Sequence, residues 1–229
     1  MLSCLNLILG YDKAVSQPIN MEIGNNRWIG IVGQNGAGKS TFLKTILGTL
    51  PIFSGSLKVF NHKPGKVNRH ISYIPQEREI NLSEQMSGVT LIKSSYVGWR
   101  LGLPFISKRV NQRVMELIEL VGAKNYAFQP FCTLSGGQKK RIYLAQALIN
   151  KPKLLLLDEP LADLDPSAKQ HFIQALQKIH EREQLGLLII SHDMHEIAMH
   201  LDGFIHFRPD GVHYCETISC AREDSYVGV

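Results

Sequence analysis

The chain has 229 residues, 44% hydrophobic and 20% charged, a balance that supports one substantial buried core and excludes a disordered chain. No run of about 18 apolar residues occurs, and Met1-Leu2-Ser3-Cys4-Leu5-Asn6 lacks the charged start and cleavage site of a secretory signal, so the expected location is the cytoplasm. The formal charge of +5 suits an anionic partner, but apart from Lys139-Lys140-Arg141 the positive residues are dispersed, which argues against a nucleic-acid groove.

Leu5 to Leu9 reads as one strand of a small antiparallel sheet, with Ser56 to Phe60 as another and Gly55 as the turn. Trp28-Ile29-Gly30-Ile31-Val32 is a short apolar run ending in a glycine-rich turn. From Lys39 to Leu50, Phe42, Leu43, Ile46, Leu47 and Leu50 then fall at helical spacing. Between this strand and helix stands Gly33-Gln34-Asn35-Gly36-Ala37-Gly38-Lys39-Ser40, the G-x4-G-K-S phosphate loop in the context that gives the pattern meaning. Its glycines let main-chain N–H groups turn toward a polyphosphate, and the helix presents its positive end. Lys39 is placed to reach the β- and γ-phosphates; a unit charge pair near 4 Å is worth roughly 4 kcal/mol at an effective dielectric of about 20, before desolvation. Ser40 supplies a hydroxyl for Mg²⁺, and Thr41 continues into the helix.

His70 to Ile74, Leu154 to Leu157 and Leu187 to Ile190 are brief and rich in Leu or Ile, as in strands buried on both faces. Between Gln76 and Thr133 the character changes, and Val110, Val114, Leu117, Ile118 and Val121 mark an amphipathic helix. The expected fold class is therefore α/β, a P-loop NTPase core with a small antiparallel β subdomain and an inserted α-helical subdomain at about residues 77–133. Ser135 with Gln138 fits a capping box for a helix carrying Ile142, Ala145, Leu148 and Ile149 on one face. That N-terminus is a second anion site, and Gly136-Gly137 in its first turn suits a close approach to the backbone. Asp158 emerges at the end of a four-leucine strand, where α/β folds bind ligands, and can hold Mg²⁺ through water. Asp165-Pro166 reads as a helix N-cap with proline at N1. His192, His195, Glu196 and His200 read as a solvated helix face and not as a metal site. Cys4, Cys132, Cys215 and Cys220 lack a C-x-x-C pair and read as four reduced thiols, while the tail from about residue 215 is polar.

The phosphate loop, Leu134-Ser135-Gly136-Gly137-Gln138, Leu154 to Glu159 and Ser191-His192-Asp193 together resemble the ATP-binding subunit of an ATP-binding cassette (ABC) transporter. The resemblance covers about residues 1 to 215 and makes 1–229 a single ATP-binding domain using ATP and Mg²⁺. It implies that Tyr11 stacks on adenine, that Glu159 polarises the attacking water, that His192 contacts the γ-phosphate and that Gln76 touches Mg²⁺ or that water. Leu161 to Asp165 matches the segment through which two ATP sites communicate, with Asp163 departing from the small residue usual there.

The family also implies a partner, because residues 134 to 138 of one subunit close over the nucleotide on the phosphate loop of another. One phosphate loop and one such segment per chain make a second copy of itself the simplest complement, with a related cassette as the alternative. The further partners are a polytopic transmembrane permease, through Leu91, Ile92, Tyr96, Val97, Trp99, Leu101, Leu103 and Phe105, and indirectly a solute-binding protein. The expected place is peripheral, at the cytoplasmic face of the inner membrane. Small size and Tyr73-Ile74-Pro75-Gln76-Glu77-Arg78 look most like the metal-ion import branch, for zinc, manganese or chelated iron. The alternatives are a soluble ABC ATPase of translation or DNA repair, or the ATPase of an ABC exporter.

Overall fold

The computed structural model describes residues 1–76, 86–97, 107–192 and 194–216. A three-stranded antiparallel sheet runs β2 (Ile19–Ile23), β1 (Leu2–Ile8), β4 (Ser54–Val59). A six-stranded sheet has the order β5 (Ile71–Ile74), β6 (Leu154–Asp158), β7 (Gly186–Ile190), β3 (Trp28–Gly33), β8 (Gly203–Arg208), β9 (Gly211–Cys215). The first five strands of that list pair in parallel, and β9 closes the edge antiparallel to β8.

Every residue of β6 and β7 is buried. Because side chains alternate across a strand, Leu155, Leu157, Leu187 and Ile189 enter one apolar layer, and Leu154, Leu156, Leu188 and Ile190 enter the other. A fully buried leucine is worth about 1.5–3 kcal/mol, so this double layer fixes which segments lie at the centre of the sheet. The first layer is closed by α2 (Gly88–Val97), α3 (Lys108–Leu120), α4 (Gly136–Leu148), α5 (Pro166–Glu183) and the short α6 (Met194–Ile197). Phe42, Leu43 and Ile46 of α1 (Lys39–Ile46), with the antiparallel sheet, close the second.

Several expectations are corrected. Gly55 is not a turn: it lies inside β4 at φ 79°, opposite a register shift in β1, where a Cβ would sit 2.0 Å from the Asn6 carbonyl oxygen. It is a point of close backbone approach in a kinked strand pair. β2, β8 and β9 were not expected from the pattern, and α1 stops at Ile46, capped by the Leu47 N–H. Leu91 and Ile92 are buried in the core, Tyr96 packs against it in part, and Trp99, Leu101, Leu103 and Phe105 lie outside the described residues. Cys4 and Cys132 are thiols, but Cys215 is disulfide-bonded, against the expectation of four reduced cysteines. The tail beyond residue 216 is outside the described residues.

Candidate functional site

The functional side chains come together because β5, β6, β7 and β3 are parallel neighbours, so the segments after all four emerge on one edge. Gln76 follows β5, Asp158 ends β6 with Glu159 next, His192 follows β7, and the phosphate loop follows β3. Asn35, Gly36, Gly38, Lys39, Ser40, Thr41, Gln76, Asp158, Glu159 and His192 line one cleft of about 370 Å³.

Two glycines explain the shape of the loop. At Gly33 a Cβ would lie 2.5 Å from the Phe207 carbonyl oxygen, so β3 can leave the sheet against β8 only without a side chain. Gly38 caps α1 in the left-handed region at φ 99°, turning the main chain into the helix. The Lys39 ammonium, buried inside the loop, donates to the carbonyls of Gly33 at 2.7 Å and Gln34 at 2.9 Å. Burial lowers the Lys39 pKa from its ordinary value, partly opposed by the carboxylates of Glu159 and Asp158.

Asp158 is buried and accepts two hydroxyl contacts, from Ser40 Oγ to Oδ1 at 3.4 Å and from Tyr73 to Oδ2 at 3.2 Å. Burial, then the neighbouring Asp158 charge, pushes the Tyr73 hydroxyl up to about 12, so Tyr73 stays a donor. Tyr73, half-buried on β5, is a neighbour of the site that sequence reasoning did not assign to Asp158. Glu159 is buried at a left-handed φ of 49°, its N–H donating to the Ile190 carbonyl at 2.9 Å. Its carboxylate accepts the His192 N–H at 3.2 Å and lies 3.3 Å from His192 Nε2. Burial raises its pKa from the ordinary 4.5; His192 and Lys39 pull it back, and Asp158 adds to the rise.

Asn35 and Gly36 are shared with a larger groove of about 680 Å³, which Gln34, Ala37, residues 14–18, Phe207, Arg208 and Pro209 also line. Tyr11, in the segment between β1 and β2, is 56% exposed and is not among the described residues lining either space.

Ser135, Gly136, Gly137 and Gln138 do not line the phosphate cleft, although Gly136 lines an adjoining cavity with Gln76 and Glu159. The expected capping box is present: Ser135 Oγ accepts the Gln138 N–H at 3.3 Å, and Gln138 Oε1 accepts the Ser135 N–H at 3.0 Å. A Cβ on Gly137 would meet that of Ala168 at 2.9 Å, so its close approach is to α5 of the same chain, whereas Gly136 faces open space. Asp165 caps α5 by accepting the Ala168 N–H at 2.9 Å, with Pro166 at the first position. Glu196 pairs with Lys169 at 3.1 Å and His200 stacks on Trp28, so these side chains serve packing.

A phosphate loop, a hydroxyl paired with a buried aspartate and a buried glutamate beside an exposed histidine, all at the carboxyl edge of a parallel sheet, define a P-loop nucleotide-hydrolysing protein. The ABC transporter family model matches residues 16–162. The zinc transport system ATP-binding protein TroB of Treponema pallidum (strain Nichols) is 34% identical over 201 residues, covering 86% of this chain and 74% of its own. The manganese transport system ATP-binding protein MntB of Bacillus subtilis (strain 168) is 30% identical over 199 residues, covering 86% and 79%. The energy-coupling factor transporter ATP-binding protein EcfA2 of Caldanaerobacter subterraneus subsp. tengcongensis is 32% identical over 204 residues, covering 85% and 69%. Among solved structures, a dimeric ATP-binding cassette in a post-hydrolysis state with ADP and Pi superposes with a TM-score of 0.76 at 22% identity, over 94% of this chain and 98% of that one, a likeness of fold. The chain belongs to the ABC transporter family; it is an ATP-binding transporter subunit and an ATP hydrolase.

Proposed function

We propose that this subunit drives import of a transition metal, zinc or manganese first and chelated iron second, as a pair of identical copies docked on a polytopic permease at the cytoplasmic face of the membrane. The observation that carries the catalytic half is the convergence of Lys39, Ser40, Asp158, Glu159 and His192 on one cleft. The loop N–H groups and Lys39 bind the phosphates of ATP. The base extends out from the loop, with the exposed Tyr11 ring, which stands outside the lining of the larger groove, as its stacking face. Ser40 and Asp158 are hard oxygen donors 3.4 Å apart, a donor set that fits Mg²⁺, with Gln76 on the same wall; bound there, the ion neutralises phosphate charge. Glu159 orients the attacking water and accepts its proton, its raised pKa making it a stronger base than a free glutamate. His192, 62% exposed at its side chain, directs its imidazole to the γ-phosphate.

Two copies are needed because the N-terminus of α4 does not line the cleft of its own chain. The chain acts as one unit, in which α2 and α3 belong to the helical subdomain that meets the permease. No helix among the described residues is long and apolar enough to cross a membrane. The zinc and manganese relatives support the metal, and the energy-coupling factor relative supports a second reading, a transporter of that type. Deleting the gene separates them: growth fails under chelation and is restored by zinc or manganese specifically. Unchanged metal content and chelator sensitivity overturn the metal reading.

A further inference from the structure

Lys140 sits one turn into α4, and its ammonium donates to the main-chain carbonyl of Ala162. Ala162 belongs to the short segment between Glu159 and the Asp165 cap of α5, and that segment holds two non-glycine residues at left-handed φ, Glu159 at 49° and Asp163 at 59°. Such residues persist only where the surroundings over-determine them. The segment starts from the Glu159 N–H held on the Ile190 carbonyl at 2.9 Å; beyond it the backbone restraints are local and long, Ala162 N–H to the Glu159 carbonyl at 3.3 Å and Leu164 N–H to the Leu161 carbonyl at 3.4 Å. Lys140 adds a charged donor from a different element.

Its setting is unfavourable for a cation without a task. Lys140 lines a cavity of about 210 Å³ with Gln76 and Glu159, walled by Ile74, Tyr143, Pro160 and Phe172. Burial there lowers the lysine pKa, with Asp163 and then Glu159 opposing the shift. One turn earlier, Gly137 lies against the start of α5, where an added Cβ would come within 2.9 Å of the Ala168 Cβ. The N-terminus of α4 thus touches the start of α5 at Gly137 and, through Lys140, the segment that follows Glu159.

We infer that Lys140 is a positioning residue that ties the α4 N-terminus to the turn carrying Glu159, so that engagement of α4 with a nucleotide on a second subunit sets the catalytic carboxylate of its own chain. This rests on the proposed dimer and extends it: the linkage runs within a chain, from the site α4 covers to the site where that chain's Glu159 works. Coupling of this kind is reciprocal for binding, so ATP at either site favours the competent turn at the other.

The test uses the full chain. Lys140→Met, which keeps the stem and removes the donor, lowers kcat at least tenfold, brings the Hill coefficient for ATP to 1 and leaves nucleotide affinity within twofold; Lys140→Arg restores rate and cooperativity. Lys140→Ala replaces the Met variant if thermal melting shows the latter unfolded. Differently tagged mixed dimers then separate linkage from general damage. A Lys140→Met chain paired with a Glu159→Gln chain is inactive, because the intact Glu159 has lost its own lysine. A wild-type chain paired with a Lys140→Met/Glu159→Gln chain keeps about half of wild-type turnover, the share of one active site in two. Equal activity in the two mixed dimers, or a donor-less variant with wild-type kcat and cooperativity, overturns the inference. Absence of an ATP-dependent dimer in the parent chain overturns the dimer reading itself, a result distinct from either.

Discussion

Glu159 and His192 follow neighbouring strands and meet twice, through the His192 N–H on Oε2 at 3.2 Å and the imidazole Nε2 at 3.3 Å from Oε1. The register that pairs Asp158 with Ile190 puts them side by side. The carboxylate is buried and the imidazole is open to the cleft, so one is fixed and the other is available to a ligand.

This arrangement gives a catalytic prediction. Glu159→Gln keeps the main-chain hydrogen bond from His192 but removes the base, so ATP hydrolysis falls below a tenth of wild type, a barrier increase of more than about 1.4 kcal/mol, while ATP still binds. Lys39→Ala loses both, since the ammonium is the charge inside the loop. Hydrolysis and nucleotide affinity measured together check the pair; a Glu159→Gln enzyme above a tenth of wild-type turnover sinks the assignment.

Acidity follows from burial. The Glu159 pKa is raised in the folded chain, so its ionisation disfavours folding: that penalty is absent below the unfolded value of 4.5 and grows as pH rises through the higher folded value. Glu159→Gln therefore melts at a higher temperature than wild type at pH 8, and the difference shrinks by pH 4. Because His192 holds the Glu159 pKa down, His192→Ala moves the acid limb of kcat to higher pH. Thermal melts and rate profiles across that range decide both, and an unmoved acid limb would separate the two residues.

Assembly is tested at the exposed cap of α4. Glu159→Gln with ATP and Mg²⁺ elutes as a dimer, and Ser135→Arg, which places a bulky cation where the second nucleotide approaches, prevents it. Sedimentation of the trapped variant as a monomer at high concentration contradicts the two-copy model.

The close approach inside β4 gives a stability prediction. Gly55→Ala forces a Cβ to within 2.0 Å of the Asn6 carbonyl at a φ of 79°, so it destabilises by about 3 kcal/mol, the sum of backbone strain and overpacking. Denaturant unfolding measures it, and a loss under about 0.5 kcal/mol, the range of ordinary surface substitutions, contradicts the close approach.

The sequence by itself determined the elements whose patterns are local. Four consecutive buried leucines announce β6, G-x4-G-K-S announces a phosphate loop, and Ser135 with Gln138 announces a capped helix, because each is decided by near neighbours in the chain. Tertiary structure alone decided the rest. β8 became an inner strand only by pairing with β3 and β9, burying His206 in a run whose polar residue hides its nature. Gly55 reads as a turn until β1 is placed beside it. Tyr73 meets Asp158 across 85 positions, and Lys140 meets Ala162 across a helix boundary, since hydrogen bonds depend on distance in space and not on spacing in the chain. The strand order that gathers Lys39, Gln76, Asp158, Glu159 and His192 into one cleft is likewise a property of the folded sheet, where burial on both faces selects which strands lie at the centre.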